Sequence, residues 1–183
     1  MAIFASYYEM KTLIFKRKVK YFRLEVGLEG IKIIVPIGVE VNEKEILEKH
    51  RRWIEKRIER LNEIKKIAES LEIYKQENLY NLVEVFVDEI SKILNVKPEK
   101  ILFRKMKKRW GSCNYRKKIL IFNKNLEYLP EELIKHIVIH EMCHLIVRNH
   151  NKEFWALVSK LDSDFKEKRK MLAGYMIKLN GLV

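Results

Sequence analysis

The segment His140-Glu141-Met142-Cys143-His144, which reads H-E-x-x-H, constrains this chain more than any other feature of its sequence. Residues four apart on an α-helix lie about 40° from each other around the axis, so His140 and His144 can direct two ring nitrogens to one point. Glu141 lies about 100° further round, where it can reach a water that a metal activates. The pattern predicts a helix that supplies two metal ligands and a general base.

The surrounding residues favour a helix at this position. Apolar side chains recur at helical spacing ahead of the motif, and Pro130 followed by Glu131 and Glu132 is typical of a first helical turn. We expect the helix to run to about Ile146 or Val147. The competing interpretation of the two motif histidines is that they are hydrogen-bonded core residues of an apolar helix.

A third ligand is expected six residues after the motif, at His150. A straight helix would carry His150 too far from His144 to share a metal, so the helix must end soon after His144 and the chain must turn back. A related motif places glycine at the position of Val147, which cannot easily adopt a positive φ. We therefore expect Asn149 to take the left-handed conformation. The competing third ligands are Glu153, Asp162 and Asp164.

Three histidines and one water make a catalytic zinc site with an open position. The sequence thus predicts one divalent metal, zinc, held by His140, His144 and His150, with Glu141 as the general base. His136 lies one turn before His140 and can be a group beside the ligands, a group facing substrate, or a packed residue. Neither cysteine of the chain is expected to bind the metal, and Cys143 is interpreted as a core residue.

A basic run lies some thirty residues ahead of the motif. Between Arg104 and Lys118 there are eight basic residues and no acidic one, in a chain of formal net charge +13. One interpretation is a solvated strand–loop face. The other is a surface that draws in an anionic substrate or a nucleic-acid backbone. Nucleic acid therefore stays among the possible partners.

Apolar periodicity predicts an α+β organisation. Strands are expected between Leu13 and Pro36, with a hairpin turn at 28–30, and Asn42 with Glu45 forms a capping box that begins one long helix. Later come a helix over 78–94, a strand over 101–106, a loop over 109–114, a returning strand over 119–122 and a helix from Asn151. The predicted buried side of the 78–94 helix is Leu82, Phe86, Ile90 and Ile93. We expect an N-terminal part, residues 1–70, packed on a catalytic domain of residues 71–183.

Composition places the chain among globular intracellular proteins. Hydrophobic residues make up 48% of the 183 residues, and no apolar run approaches the length that spans a bilayer. The segment Met1–Glu9 lacks the order of a secretory signal, and two cysteines suggest no disulfide framework. We expect a cytoplasmic protein with no membrane association.

Several blocks together resemble the YgjP-like metal-dependent hydrolases, which are related in fold to zincin peptidases and to SprT-like proteins. They are Arg109-Trp110-Gly111-Ser112-Cys113, the H-E-x-x-H segment, Asn149-His150 and Phe154-Trp155. The resemblance is strong from Ile101 to Leu172. It implies a zincin-like domain whose H-E-x-x-H helix packs on a small sheet, preceded by a β-hairpin region and a long helix. It also implies the ligand set and base named above, with the 109–113 loop as a wall of the site.

The chain departs from its relatives in two places. The segment between the two long helices is short, so a strand pair common in the family is expected to be missing. Residue 151 is Asn where Ser is frequent, and either residue can cap the next helix. Neither departure involves the predicted ligands.

Three functions fit these observations. The first is a zinc peptidase, in which an extended peptide pairs with an edge strand near Ile119–Asn123. The second, implied by the resemblance, is a nucleoside triphosphate pyrophosphohydrolase with UTP as substrate. The third is a nucleic-acid-binding protein with a structural metal.

For an enzyme, Arg109 or Lys108 would stabilise developing negative charge, and Ser112 and Asn114 would donate hydrogen bonds to substrate. The competing interpretation of Trp110 and Ser112 is that they are loop-packing residues, and Trp110 is otherwise assigned to substrate binding.

Overall fold

The computed structural model describes residues 10–181, and the chain divides into two compact units. The first unit ends at Lys66 and the second begins at Ile67. The boundary expected between residues 70 and 71 stays a prediction. The segment Met1–Glu9, in which no secretory signal is expected, lies outside the described residues. Among residues 10–181, no helix combines the length and the apolar character that crossing a bilayer requires.

The first unit contains a three-stranded sheet of order β1-β3-β2. Its strands are β1 (Thr12–Arg17), β2 (Arg23–Gly27) and β3 (Gly30–Pro36). β2 and β3 form the predicted antiparallel hairpin, and β1 pairs with β3 in parallel. Gly30 has φ of 132°, and a Cβ there would collide with the carbonyl of Lys11. Glycine is therefore required where the hairpin begins its second strand.

Two helices, not one, follow this sheet. α1 (Glu43–Lys49) begins at Asn42, whose side chain accepts hydrogen bonds from the backbone of Lys44 and Glu45. α2 (Arg51–Ser70) begins after His50, whose φ of −105° and ψ of 10° interrupt the helix. The prediction of one uninterrupted helix is wrong at this residue. The interruption is local, because the His50 N–H still donates to the Ile46 carbonyl across 3.1 Å.

The second unit contains three strands and four helices among its described residues, besides the end of α2. The strands are β4 (Lys100–Arg104), β5 (Gly111–Asn114) and β6 (Ile119–Asn123). The helices are α3 (Leu79–Leu94), α4 (Glu131–Cys143), α5 (Lys152–Leu161) and α6 (Phe165–Leu179). Mixed helices and small sheets confirm the predicted α+β class. The 109–114 segment, expected as a loop, is in fact mostly strand β5.

The strand order in the second sheet is β4-β6-β5, which overturns one expectation from the sequence. β6 is hydrogen-bonded to β4 on one side and to β5 on the other. Its backbone groups are therefore taken, and a peptide cannot pair with Ile119–Asn123. The edge strand beside α4 is β5, which packs against that helix. Strand β5 is short and begins with Gly111, so the sequence did not predict a strand there.

Helix α3 buries a face that shares Ile90 with the expected one but otherwise differs from it. Leu79, Val83, Val87 and Ile90 are buried, whereas Ile93 is 57% exposed. Leu82 and Phe86 are only partly buried at the margin of the core. Two neighbouring apolar stripes run along this helix, and periodicity could not tell which of them faces the core.

Helix α4 lies at the centre of the core of the second unit. Most of its residues are buried, and it packs against α3, α5, α6 and β5. Its fully buried apolar side chains include Leu133, Ile134 and Val138. A helix that is apolar on nearly every side belongs inside a domain. The H-E-x-x-H motif is therefore carried on a helix that the rest of this unit packs against on several sides.

The corrected face of α3 can be tested with a matched pair of substitutions. Ile90→Ala removes a buried side chain and should lower the free energy of unfolding by about 2–5 kcal/mol. Ile93→Ala changes an exposed side chain of the same helix and should alter it by no more than about 0.5 kcal/mol. Urea denaturation of both variants measures the difference. Equal losses would contradict the observed packing of α3.

Candidate metal centre

Helix α4 ends earlier than the sequence suggests, at Cys143, and His144 is its C-cap. The Ile146 N–H donates to the Cys143 carbonyl across 3.1 Å, and the Val147 N–H donates to the same oxygen across 2.8 Å. These bonds close a tight turn in place of the expected helical extension to Ile146 or Val147. The chain therefore leaves the helix direction directly after the second motif histidine.

The return of the chain requires no left-handed residue. Among residues 10–181 only Asn95 and Lys118 are non-glycine residues with positive φ, so the prediction for Asn149 is wrong. Val147 is buried, and its carbonyl accepts a hydrogen bond from His144 Nδ1 across 3.1 Å. An inward-facing side chain and this hydrogen bond fix the turn, which explains how the chain turns back without the glycine of the related motif.

Three ring nitrogens converge as a result. His150 Nε2 lies 2.9 Å from His140 Nε2 and 3.0 Å from His144 Nε2. The His144 ring also stacks on Phe154, a fully buried residue of α5, at 4.4 Å between ring centroids. The three histidines form the one cluster of potential metal ligands in the described part of the chain, and the competing acidic residues do not join it.

The protonation of these rings suits a metal. Burial lowers the pKa of His140 to about 3, and burial also lowers the pKa of His144 and of His150. Because His144 Nδ1 donates to a carbonyl, its neutral ring leaves the Nε2 lone pair directed at the other two nitrogens. Three neutral imidazole nitrogens with open space beside them are the donor set of a catalytic zinc-type site. The residues present therefore fit a divalent metal.

Glu141 is buried beside this donor set, at 6% exposure. Burial raises the pKa of its carboxyl to about 8, and the Arg109 guanidinium opposes the shift. A carboxyl with a pKa near neutrality is suited to take up and release a proton. Arg109 is thus placed within electrostatic reach of the predicted general base.

Gly111 makes room for that carboxyl. A Cβ on Gly111 would lie 2.8 Å from both Cγ and Oε1 of Glu141. Such distances are shorter than any carbon–carbon or carbon–oxygen contact in a packed interior. The glycine of the R-W-G-S-C block is therefore the surface against which Glu141 is positioned, a role that the sequence alone did not reveal.

An open cavity of about 650 Å³ surrounds the three histidines and Glu141. Four residues assigned from the sequence to catalysis or substrate binding line it, namely Lys108, Arg109, Trp110 and Ser112. Asn114 is not among the lining residues, and its side chain instead accepts a hydrogen bond from the Lys117 N–H in the β5–β6 turn. Only two of the eight basic residues between 104 and 118, Lys108 and Arg109, reach the cavity.

A hydrogen bond to α6 holds the side chain of Trp110 in place. Its Nε1–H donates to the Leu172 carbonyl of α6 across 3.1 Å, and the side chain is partly buried against the core. Trp110 therefore fixes the start of β5 to α6 as well as lining the cavity. Both interpretations made from the sequence, packing residue and site residue, apply to this side chain.

Two arginines of the cavity were missed in the sequence. Arg148 lies over the Tyr115 ring at 4.9 Å from its centroid, and Arg169 lies over the Trp155 ring at 4.4 Å. Both arginines line the cavity. Arg169 belongs to α6, a helix that was not predicted, so no local pattern connected it with the motif. Arg148 lies inside the six-residue extension, where no feature of the sequence distinguishes it from a surface arginine.

His136 and the cysteines also have defined surroundings. His136 is buried, lines the cavity and lies 2.6 Å, Nδ1 to Oδ2, from Asp162. Burial lowers the pKa of His136, although the hydrogen bond to Asp162 opposes the shift.

Cys143 is buried in the core. Cys113 lines the cavity, and burial raises the pKa of its thiol to about 12. A thiol with so high a pKa is a poor ligand and nucleophile.

The donor set, the buried glutamate and the open cavity are those of the metal-dependent hydrolases. The family model for the YgjP-like metallopeptidase domain matches residues 62–175, more than half of the chain. The chain therefore belongs to the YgjP-like family, as the resemblance of its motifs indicated. Membership supports a divalent metal at the three histidines.

Three solved structures resemble part of the chain, and two of them are metallopeptidase zymogens. The abylysin zymogen of Pyrococcus abyssi is 24% identical, with a TM-score of 0.43 over 47% of this chain and 87% of that chain. The jannalysin zymogen of Methanocaldococcus jannaschii is 21% identical, with a TM-score of 0.44 over 59% and 100%. Wss1 of Saccharomyces cerevisiae is 17% identical, with a TM-score of 0.40 over 57% and 80%. Among curated proteins, no sequence matches the chain.

The contact between Gly111 and Glu141 gives a testable consequence. Gly111→Ala should displace the Glu141 carboxyl and lower kcat by about tenfold or more, while the content of divalent metal stays unchanged. Gly27→Ala, where an added Cβ meets nothing within 4 Å, is the matched control. Metal analysis and hydrolysis assays of both variants check this. Full activity of Gly111→Ala would show that Glu141 does not depend on this glycine.

Proposed function

We propose that the chain is a zinc metallopeptidase in which Glu141 is the general base. The observation that carries this proposal is the convergence of three neutral Nε2 atoms beside a buried glutamate in an open cavity. Three protein ligands leave a position open for reaction, whereas a structural zinc site is closed by four. Family membership supports hydrolysis of a peptide bond as the first activity to test.

Each residue of the site has a task in such a reaction. A divalent metal at the three histidines supplies a Lewis acid that polarises a carbonyl oxygen and acidifies water. His140, His144 and His150 would hold it through Nε2. Glu141 would remove a proton from the attacking water and return it to the leaving amine. Arg109 lies close enough to Glu141 to shift its pKa and would stabilise negative charge that develops on the oxygen.

Strand β5 provides the support for an extended peptide. It is one of the two edge strands of its sheet, and its residues Gly111, Ser112 and Cys113 line the cavity. A peptide added as a further strand would use backbone hydrogen bonds for affinity and would run past the metal site. This assignment replaces Ile119–Asn123, which β4 and β5 enclose.

The role of Glu141 is tested by a variant that keeps its shape. Glu141→Gln should bind zinc as the unsubstituted protein does and lose at least about 100-fold in kcat, because an amide cannot accept the proton. Glu153→Gln, at an exposed glutamate that was a competing ligand candidate, should change neither quantity. Zinc content and hydrolysis of a quenched fluorescent peptide library are the measurements. Normal turnover by Glu141→Gln would exclude it as the base.

A second candidate, a nucleoside triphosphate pyrophosphohydrolase, is favoured by the charge of the cavity. Lys108, Arg109, Arg148 and Arg169 line it, and Glu141 is the one carboxylate among the described lining residues. The two arginines over aromatic rings present planar guanidinium groups, which suit phosphate oxygens. The same metal and the same base would serve this reaction.

A nucleic-acid-binding role with a structural metal is the third possibility, and net charge is its main support. Six of the eight basic residues between 104 and 118 lie outside the cavity and are available to a polyanion. Tight binding of DNA that is insensitive to a chelator, without any hydrolysis, would favour this role over both enzymes.

One experiment separates the two hydrolases. The zinc-loaded protein is offered UTP and the quenched peptide library, each with and without a chelator. If UTP is the substrate, Arg148→Met and Arg169→Met should each raise its KM by about tenfold or more, whereas Arg104→Met, outside the cavity, should not. Chelator-sensitive release of pyrophosphate without peptide cleavage would exclude the peptidase. Peptide cleavage without any release from UTP would exclude the nucleotide hydrolase.

A further inference from the structure

A second polar group, separate from the metal ligands, is built into the wall of the cavity. His136 lies on α4 one turn before His140 and is 2% exposed. Its Nδ1 lies 2.6 Å from Asp162 Oδ2, and Asp162 is itself 7% exposed at the C-cap of α5. Neither residue belongs to the cluster of three histidines. Two polar side chains buried in this way need a full set of partners.

Asp162 has that full set. Its second oxygen, Oδ1, accepts a hydrogen bond from Lys168 Nζ across 2.5 Å. Burial alone would raise the pKa of Asp162, but the hydrogen bonds from Lys168 and His136 outweigh burial and lower it. The carboxylate is therefore ionised and can only accept hydrogen bonds. The nitrogen that faces it, His136 Nδ1, must carry a hydrogen.

His136 lacks a partner on its other side. In the neutral ring, a hydrogen on Nδ1 leaves Nε2 as a lone-pair acceptor. Within residues 10–181 no group donates a hydrogen bond to this Nε2, although the ring is almost wholly buried and lines the cavity. An acceptor of this kind, on a ring that Asp162 orients in the wall of the cavity, is suited to a donor that enters from the cavity.

We propose that His136 is a substrate-binding residue that accepts a hydrogen bond at Nε2 from a donor group of the substrate, and that Asp162 and Lys168 position it. For the peptide substrate proposed above, on which this inference rests, the donor is a backbone N–H. The arginines of the cavity offer donors only, so His136 adds the complementary contact. The arginines would then bind acceptor groups of the substrate, and His136 would bind one of its donor groups.

Two substitutions of His136 test the roles of its two ring nitrogens separately. His136→Asn keeps an amide near the position of Nδ1, which can still donate to Asp162, but leaves nothing at the position of Nε2. His136→Gln reaches the position of Nε2 with a polar group and loses the ring nitrogen beside Asp162. A purely structural role therefore requires the Asn variant to be normal, and substrate binding requires the Gln variant to be the more active.

The measurements are kcat and KM with the quenched peptide library or UTP, whichever the unsubstituted protein hydrolyses, together with Tm and zinc content. We expect His136→Asn to keep its Tm and zinc and to lose about tenfold in kcat/KM, mostly through KM. His136→Gln should keep most of kcat/KM and show the lower Tm. The inference is overturned if His136→Asn retains the kcat/KM of the unsubstituted protein or if His136→Gln is the less active of the two.

A spectroscopic measurement tests the same inference without turnover. Long-range proton–nitrogen correlation spectra of the zinc-loaded protein assign the hydrogen of each neutral histidine ring. For His136 we expect the hydrogen on Nδ1, and a hydrogen on Nε2 would overturn the inference even in a protein that hydrolyses both probes. Absence of hydrolysis of either probe, with the hydrogen on Nδ1, would count against the proposed function and leave His136 as an oriented acceptor.

Discussion

The site depends on one requirement, that three imidazole nitrogens lie within 4.8 Å of one another at the end of a buried helix. His140 and His144 satisfy it through helical spacing, but His150 can satisfy it only if α4 ends at once. The Val147 carbonyl, by accepting from His144 Nδ1, orients a ligand and closes the turn with the same bond. Asn151 then caps α5 by accepting from the Phe154 N–H across 2.9 Å. Ligand geometry and chain direction are thus fixed by the same few contacts.

A second close approach couples the sheet to the helix. Glu141 is buried against the bare Cα of Gly111, so β5 can lie directly beside α4. Trp110 fixes the same strand to α6 through its hydrogen bond to the Leu172 carbonyl. The strand that would support a substrate is therefore held at a set distance from Glu141, the proposed general base. Such fixed spacing between a base and its substrate is what makes proton transfer efficient.

The parts of the structure that sequence could predict were those with local causes. Helical spacing and capping residues account for α4, for the start of α1 at Asn42 and for the start of α5 at Asn151. Predictions that required a choice between two equally good apolar faces or strands were wrong, because contacts with residues distant in the sequence decide between them. Ile93 belongs to an apolar stripe as good as the buried one, and β6 becomes the central strand only through β4 and β5.

The same distinction holds inside the site. The three histidines and Glu141 share one motif and its extension, so spacing was enough to nominate them. Arg169 comes from a helix of no recognisable motif, and Gly111 acts through the absence of a side chain. Asp162 was considered as a ligand, but its partners are His136 and Lys168. A carboxylate near a metal motif in sequence has several ways to be satisfied, and only the three-dimensional neighbours decide among them.

Charge is the property of the cavity that most restricts its substrate. The histidine rings are neutral, so a bound divalent metal would add its whole charge to a wall that already carries four cationic side chains and one carboxylate. Like charges gathered in a partly enclosed cavity raise one another's energy unless an anion joins them. A substrate with negative charge near the bond that breaks would relieve this repulsion, whether as phosphates or as acidic groups of a peptide. A neutral peptide would leave it in place, so the charge of the cavity favours a substrate with an anionic part in either of the two proposed hydrolase reactions.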